Sequence, residues 1–474
     1  MLKRLLRLED HVTLPPDNDP KFLGIFTKDR QFYRTFFPLL IIIVLQQLAE
    51  LTVNMVDNIM LGRYTELALS GVTLVNQLQF ALQQITAALG VGIVVLASQY
   101  WGQRRIEPIK KIISIGLKIG FLVGVIFFTV TLLIPEEVLS LFTKDTAVVA
   151  EGTKYLKIIC WTYLIFSISS SLKYALQSVE TAMISTIMSI STIIINMCLN
   201  YCLIFGNFGF EEMGVRGAAI ATLTSRIVEL VIILLYILFI DKKLKMKLRD
   251  MLMLDFTYLK DFVKVATPIT ITGALWGFAQ AVHTGILGHI DSAAIAANAI
   301  ATVMASFFAV VGNACTNVAS VVTGKTIGEE KFDMIRSYTK TMQGVFLTIG
   351  IISAALLFIF RNRLVGFYAI SDEAKKLTID FIIVLCVSTV GTCYEYPVAC
   401  GIIAGGGFTR YSAVNDILFM WLFCVPGALL SAFVFKWPAV VTFAFLKSDQ
   451  VLKCIPHSIV CNRFRWVSVL TKDE

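Results

Sequence analysis

Residues 38–62 read PLLIIIVLQQLAELTVNMVDNIMLG. The stretch opens as an unbroken apolar run of Leu, Ile and Val, then places Gln46, Glu50 and Asp57 in its middle and second half. At helical periodicity these three side chains fall within about 40° of one another, one narrow polar stripe on an apolar cylinder. An acid inside a membrane helix costs about 2.5–3.5 kcal/mol, so it is turned inward and usually has a task. The bland alternative is a helix whose acids are paired with structural Lys or Arg. A stripe with two acids and no base argues against it. Counting about 1.5 Å per residue from Pro38, Glu50 lies about 18 Å in and Asp57 about 28 Å, so Glu50 is near mid-membrane and Asp57 in the outer half.

The rest of the chain agrees with a membrane reading. Its 474 residues are 57% hydrophobic and only 16% charged, with a mean hydropathy of +0.76, whereas soluble chains carry about 25% charged residues. Residues 1–35 are studded with Lys, Arg, Asp and Pro and lack the apolar centre of a cleavable signal peptide. Long apolar runs replace the alternation of an outer-membrane barrel. Twelve spans are predicted, at 36–57, 67–100, 112–134, 155–176, 182–205, 215–240, 264–288, 293–323, 342–360, 377–400, 411–435 and 437–455. Of the 41 Lys and Arg, 28 fall on the side of the N-terminus, 10 on the other, and Lys118, Lys173 and Arg226 within spans. This asymmetry puts both termini in the cytoplasm and accounts for the net charge of +8 as topology; no nucleic-acid partner is implied. The ten cysteines lie mostly inside spans, where Cys behaves as a small apolar residue. No His or further Cys completes a metal set around Cys198 and Cys202.

Shifted by 226 residues, the chain aligns with itself: Asp57-Asn-Ile-Met-Leu-Gly62 lies over His283-Thr-Gly-Ile-Leu-Gly288, and Ala97-Ser-Gln-Tyr-Trp-Gly-Gln over Thr323-Gly-Lys-Thr-Ile-Gly-Glu. Six helices separate equivalent spans, so the halves share one orientation, a common plan for secondary transporters. The expected fold is therefore an all-α polytopic membrane protein with twelve transmembrane helices in two six-helix lobes related by a parallel internal repeat. The expected divisions are a cytoplasmic segment 1–35, an N-lobe 36–240, a cytoplasmic amphipathic linker 241–263, a C-lobe 264–455 and a cytoplasmic tail 456–474. Ala319-x4-Gly324-Lys325-Thr326 looks like a phosphate-binding loop, but it lacks the first Gly and ends an apolar helix instead of following a strand. With no nucleotide site, transport would draw on ion gradients or be passive.

Asn196 and Asn200, four apart in the fifth span, share a face, and two amides beside a carboxylate could coordinate a cation or stabilise the protonated acid. Interhelical hydrogen bonding, worth about 0.6 kcal/mol, is the plainer reading of that pair. The loop that follows ends Met213-Gly-Val-Arg-Gly-Ala-Ala-Ile-Ala-Thr222 and leads into the sixth span. With MVDNIMLG of the first helix, Pro397-Val-Ala-Cys-Gly-Ile-Ile-Ala-Gly-Gly-Gly-Phe-Thr-Arg410 and the tail stretches LKSDQVLKCI and CNRFRW, it resembles the multidrug and toxic compound extrusion (MATE) family over nearly the whole chain.

The resemblance implies a cation-coupled exporter in which Asp57 matches the first-helix acid and Asn196 the amide of the fifth helix. Asn200 stands where members have Asp or Asn. Glu395 matches a tenth-helix acid of a C-lobe cation site in sodium-coupled members. Near Trp276 such members carry a Glu, and this chain offers Gln280 and His283 instead, while Ala404 and Phe408 replace a common Arg and Asp. Glu50 is not required by the resemblance; two carboxylates sharing one cavity cannot easily ionise together, which would poise a proton for exchange.

The reading is thus a bacterial inner-membrane antiporter, not an enzyme, exporting amphipathic cationic compounds as a monomer with no cofactor. The coupling ion is H+ or Na+, with a possible Na+ seat at Asp57, Asn196 and Asn200. The drug would lie among Gln46, Gln280, Trp276, Tyr394 and His283. A lipid-linked oligosaccharide flippase would want a more cationic cavity, a membrane-embedded enzyme would want a His-rich or paired-Asp constellation, and a passive channel would not need the repeat and paired acids.

Overall fold

The computed structural model describes residues 26–143, 145–290, 292–366 and 372–471. Of the expected N-terminal segment, residues 1–25 lie outside it, and of the tail, residues 472–474. Every regular element among the described residues is helical. Eleven of the helices are long and apolar enough to cross a membrane. In chain order they are α1 (Arg30–Tyr64), α2 (Glu66–Gly102), α3 (Ile106–Leu133), α4 (Thr146–Ser178), α5 (Met183–Phe205), α6 (Val215–Leu235), α7 (Leu259–Ile290), α8 (Ser292–Gly328), α9 (Phe332–Gly366), α10 (Asp372–Tyr396) and α11 (Thr409–Asp416). Wider π-helical turns extend α6 over Tyr236–Ile240, α10 over Pro397–Ile403, and α11 over Ile417–Cys424 and Leu430–Val434.

Most helices overrun the expected spans at one or both ends; α9, for example, runs from Phe332 to Gly366 where the apolar stretch is 342–360. Hydropathy marks the part of a helix that needs hydrocarbon, whereas backbone hydrogen bonding continues past it through charged turns. The twelfth expected span, 437–455, is present as an interrupted helical run, Ala439–Lys447, Asp449–Leu452 and Cys454–Arg463, here together α12, with Ser448 and Lys453 at the joins still in helical conformation. Lys447, Asp449 and Lys453 interrupt its apolar character, yet all three are buried. The residues beyond also pack. Trp466 is fully buried, and a Cβ on Gly406 would come within 2.3 Å of its ring.

The chain divides into two compact units. Unit 2 holds 41–97 and 105–263, and unit 1 holds 264 onward together with 98–104 and the described residues before Ile41. In unit 2 the segment 241–263 is strapped to α3 and to the α4–α5 turn. Lys243 Nζ donates to the carbonyls of Val179 and Glu180, Ser114 Oγ donates to that of Met251, and Lys111 pairs with Asp255 at 2.8 Å. Leu244, Met246 and Met251 face inward while Leu252 and Leu254 are exposed, the two-faced pattern of an amphipathic connector.

Unit 1 contains a close approach that explains two repeat-related glycines. A Cβ on Gly102 would sit 2.4 Å from the Lys325 carbonyl oxygen, and one on Gly328 would sit 1.9 Å from that of Gln99. The ends of α2 and α8 therefore cross backbone to backbone, which only glycine permits. Gly324, the glycine of the phosphate-loop look-alike, lies against Ser98 Oγ in the same crossing, so the motif is packing.

Candidate functional site

Asp57 lies near the end of α1 and is half-buried. Its Oδ1 accepts a hydrogen bond from Asn200 Nδ2 at 2.5 Å. Asn200 Nδ2 also reaches Asn196 Oδ1 at 3.0 Å, and Asn196 Nδ2 donates to Thr222 Oγ1 at 3.3 Å. The i, i+4 spacing on α5 thus puts both amides on one face, as the sequence predicts, and both are buried. A cavity of about 20 Å³ adjoins them, lined among others by Asp57, Asn76, Gln79, Tyr155, Asn196 and Arg226. That is room for one water molecule or one small ion.

The other charges of this interior fall into pairs. Glu50 has a base of its own: the stripe on α1 carries none, but α4 supplies Lys173, whose Nζ lies 2.7 Å from Glu50 Oε1. Gln46 is buried and spends its amide on the same network, donating to Glu50 at 3.2 Å and accepting from Gln177 at 3.4 Å. Arg226 on α6 pairs with Glu229 at 2.6 Å and stacks 5.1 Å from the centre of the Phe166 ring. The field of its guanidinium also reaches Glu50 and Asp57. Among the described residues, three interior acids therefore meet two interior bases. Lys173 takes Glu50, Arg226 takes Glu229, and Asp57 is held by amides.

Unit 1 buries a second cluster, on α10, α11 and α12. Lys453 Nζ lies 2.5 Å from Asp416 Oδ1 and 2.9 Å from Asp449 Oδ2. Glu395, on α10, faces the ring of His457, with Oε2 and Nδ1 3.5 Å apart. The other ring nitrogen, Nε2, meets Asn415 Nδ2 at 2.6 Å. Of the residues expected around a drug, Tyr394 donates to Gln343 Oε1 at 2.7 Å and lines an open apolar groove of about 880 Å³ with Val387, Cys454 and Ile455. His283 is buried with both ring nitrogens lacking hydrogen-bond partners, and the charges acting on it are those of Lys447 and Asp449. Trp276 is 39% exposed and Gln280 half-buried on α7.

Sequence reasoning missed the bases. Lys173 and Arg226 were visible as cations within spans, and Arg226–Glu229 and Asp449–Lys453 stand at the helical spacings i, i+3 and i, i+4 at which side chains meet. Lys447 and Lys453, which fall within the expected span 437–455, belong to the buried face of α12.

A chain of long apolar helices that buries ionisable clusters inside its spans is, by class, a polytopic membrane transport protein. The MatE family model matches residues 43–202 and again 268–430, and the chain belongs to that family, the multidrug and toxic compound extrusion transporters. It is 24% identical over 407 residues to a probable multidrug resistance protein NorM of Listeria innocua, covering 84% of this chain and 87% of that one. It is 21% identical over 378 residues to the uncharacterized transporter YisQ of Bacillus subtilis, covering 79% and 82%. Among solved structures, the Vibrio cholerae MATE transporter VcmN in its bent form superposes with a TM-score of 0.82 at 16% identity, covering 92% of this chain and 97% of that one. An outward-facing multidrug resistance MATE family transporter gives 0.80 at 18%, covering 93% and 97%. These likenesses show the twelve-helix, two-lobe fold.

Proposed function

We propose that the protein exports amphipathic organic cations from a bacterial cell across the plasma membrane, in exchange for protons or sodium, by alternating access of its two lobes. Both termini lie in the cytoplasm, the working unit is a monomer, and the only co-reactant is the coupling ion. The observation that carries this reading is the isolation of Asp57. Among the described residues, it is the one acid of the unit 2 interior that is met by an amide and by no Lys or Arg ion pair, and it adjoins a cavity of about 20 Å³. A carboxylate without a fixed cation can exchange a mobile one, and the names of the NorM relatives agree with drug efflux as the outcome.

In the proposed cycle the entering ion binds at Asp57 with Asn196 and Asn200 while the organic cation leaves. Release of the ion to the cytoplasm restores the carboxylate, and a fresh organic cation binds. Glu50, neutralised by Lys173, is structural in this scheme. The test is dye uptake into everted vesicles, driven by a pH step or a sodium step in turn, which also identifies the ion. Asp57→Asn is expected to reduce driven uptake to the level of vesicles lacking the protein. Undiminished uptake in that variant would remove Asp57 from the mechanism.

A further inference from the structure

The open groove of about 880 Å³ in unit 1 is walled by α9 and α12 and floored by α10. Small residues make room for it. Ala354 and Ala355 of α9 and Gly391 of α10 line it, and a Cβ on Gly391 would stand 2.4 Å from the Gln450 carbonyl oxygen, so α10 lies close against α12. At helical periodicity Arg336, Lys340, Gln343, Leu347, Ala354 and Phe358 fall within about 60° of one another on α9. The face that lines the groove therefore continues past it toward the start of that helix. Polar groups close this end. Gln343 Nε2 donates to Asn462 Oδ1 at 3.3 Å, Asn462 Nδ2 donates to Gln343 Oε1 at 3.4 Å and to the Ser458 carbonyl at 2.9 Å, and the Tyr394 hydroxyl donates to Gln343. Beyond this bridge the walls meet again, the Arg336 guanidinium lying 5.3 Å from the centre of the Phe464 ring. Arg463 and Arg465, on either side of Phe464 in the chain, are exposed. From Met334 to Phe358 and from Cys454 to Arg465, the Lys, Arg, Asp and Glu residues are Arg336, Lys340, Arg463 and Arg465, all of them bases. The nearest acids lie elsewhere: Asp333 is one turn further out on α9, and Glu395 of the floor helix is buried against His457.

We propose that this groove is a binding site for one anionic phospholipid of the inner leaflet, with an acyl chain between α9 and α12 and the phosphate at the Gln343–Asn462 bridge and the bases beyond it. Length agrees with a chain from one leaflet. From Leu347 to Phe358 α9 rises about 16 Å, and half of a hydrocarbon core about 30 Å thick is about 15 Å. Charge selects the head group. Basic pockets between spans on the cytoplasmic side attract anionic lipids, each Lys or Arg near the surface adding to the affinity, whereas a zwitterionic head group offers them no net charge. The same bases repel an organic cation, so an exported compound of that kind is the wrong occupant. The assignment to the inner leaflet rests on the cytoplasmic orientation proposed above; the fit of lipid to groove does not.

The experiment is native mass spectrometry of the purified, delipidated full-length protein in detergent, titrated with phosphatidylglycerol or with phosphatidylcholine of the same acyl chains. One phosphatidylglycerol per chain should be retained with a Kd about tenfold below that of phosphatidylcholine, as expected for a head group held by more than one base. Arg463→Gln combined with Arg465→Gln should remove most of that preference and leave phosphatidylcholine binding as it was. Val387→Trp fills the groove from α10 and should abolish the retained lipid. Val387 is 61% exposed, so the larger ring needs no space in the core, and Ile455→Trp does the same from α12 if the first variant is not obtained. Equal affinity for the two lipids, or a retained lipid that survives the tryptophan, would overturn the proposal. So would a dimer that forms without lipid and is lost in Val387→Trp, which would make the occupant a second copy of the chain. The measurement reads neither transport nor orientation, so its failure leaves the proposed export untouched, and failure of dye transport leaves the groove untouched.

Discussion

The two units bury charge in different ways. In unit 2, each base answers one acid, Lys173 with Glu50 and Arg226 with Glu229, and Asp57 remains with Asn200. In unit 1, one base answers two acids, Lys453 lying between Asp416 and Asp449, and Glu395 is left facing an imidazole. Among the described residues, each interior thus leaves one carboxylate without a lysine or arginine of its own. The neighbours differ: Asp57 is met by amides beside a small cavity, whereas Glu395 faces an imidazole with an ammonium close by.

The largest stability effect should come from removing the base that serves two acids. Lys453→Met leaves Asp449, with a side chain 5% exposed, and Asp416, 24% exposed, without their counter-charge. Breaking a buried pair in this way costs about 3–5 kcal/mol. A large fall in the thermal midpoint of purified protein, recovered in part by adding Asp416→Asn, is the expected result. A midpoint close to wild type would mean that water reaches the cluster and that the contrast between the units is one of sequence only.

How much of this could be read from the sequence follows from what sequence patterns encode. The apolar runs and their 226-residue repeat specify helices and lobes, because hydrocarbon thickness imposes span length. The stripe Gln46, Glu50, Asp57 and the face Asn196, Asn200 follow from helical periodicity alone. Partners across helices carry no such signature. Nothing local to Glu50 indicates that Lys173, on another helix, will meet it, and nothing local to Glu395 announces His457. The pairing of the charges on α12 is hidden for a related reason: they neutralise one another in space, which no local pattern records. The glycines Gly102 and Gly328 were legible as repeat mates but not as a mutual contact, since alignment of a chain with itself shows equivalence and not proximity.

A smaller effect is expected at Lys173. Its side chain is 9% exposed, but that of Glu50 is 44% exposed and can rehydrate when the pair is broken. Lys173→Met should therefore cost about 2 kcal/mol, between the values for exposed and buried pairs. Glu50→Gln in the same chain should recover most of the loss, and Glu50→Gln alone should retain gradient-driven dye transport. Loss of driven transport in Glu50→Gln, with the protein folded, would move Glu50 from the structural side of the comparison to the coupling side and leave Asp57 with a carboxylate partner in its task.

The smallest effect belongs to the same lysine–aspartate chemistry placed outside the spans, in the strap of unit 2. Lys111 Nζ lies 2.8 Å from Asp255 Oδ2, with side chains 32% and 23% exposed. The bond from Lys111, with those from the hydroxyl and backbone N–H of Thr257, holds the Asp255 carboxyl below its ordinary range. A carboxyl depressed in the folded state contributes stability above its unfolded pKa and loses it as pH falls through the folded value. Asp255→Asn should thus lower stability at neutral pH by about 0.5 kcal/mol, a wetted pair being worth at most about 1 kcal/mol. The melting curves of wild type and variant should converge in acid. High salt should shrink the neutral-pH difference, because exposed charges are screened. If this pair instead proved as costly to break as Lys453 with its two acids, burial would not set the strength of the charge pairs. The unpaired state of Asp57 would then lose its claim to mark it as the proposed exchange site.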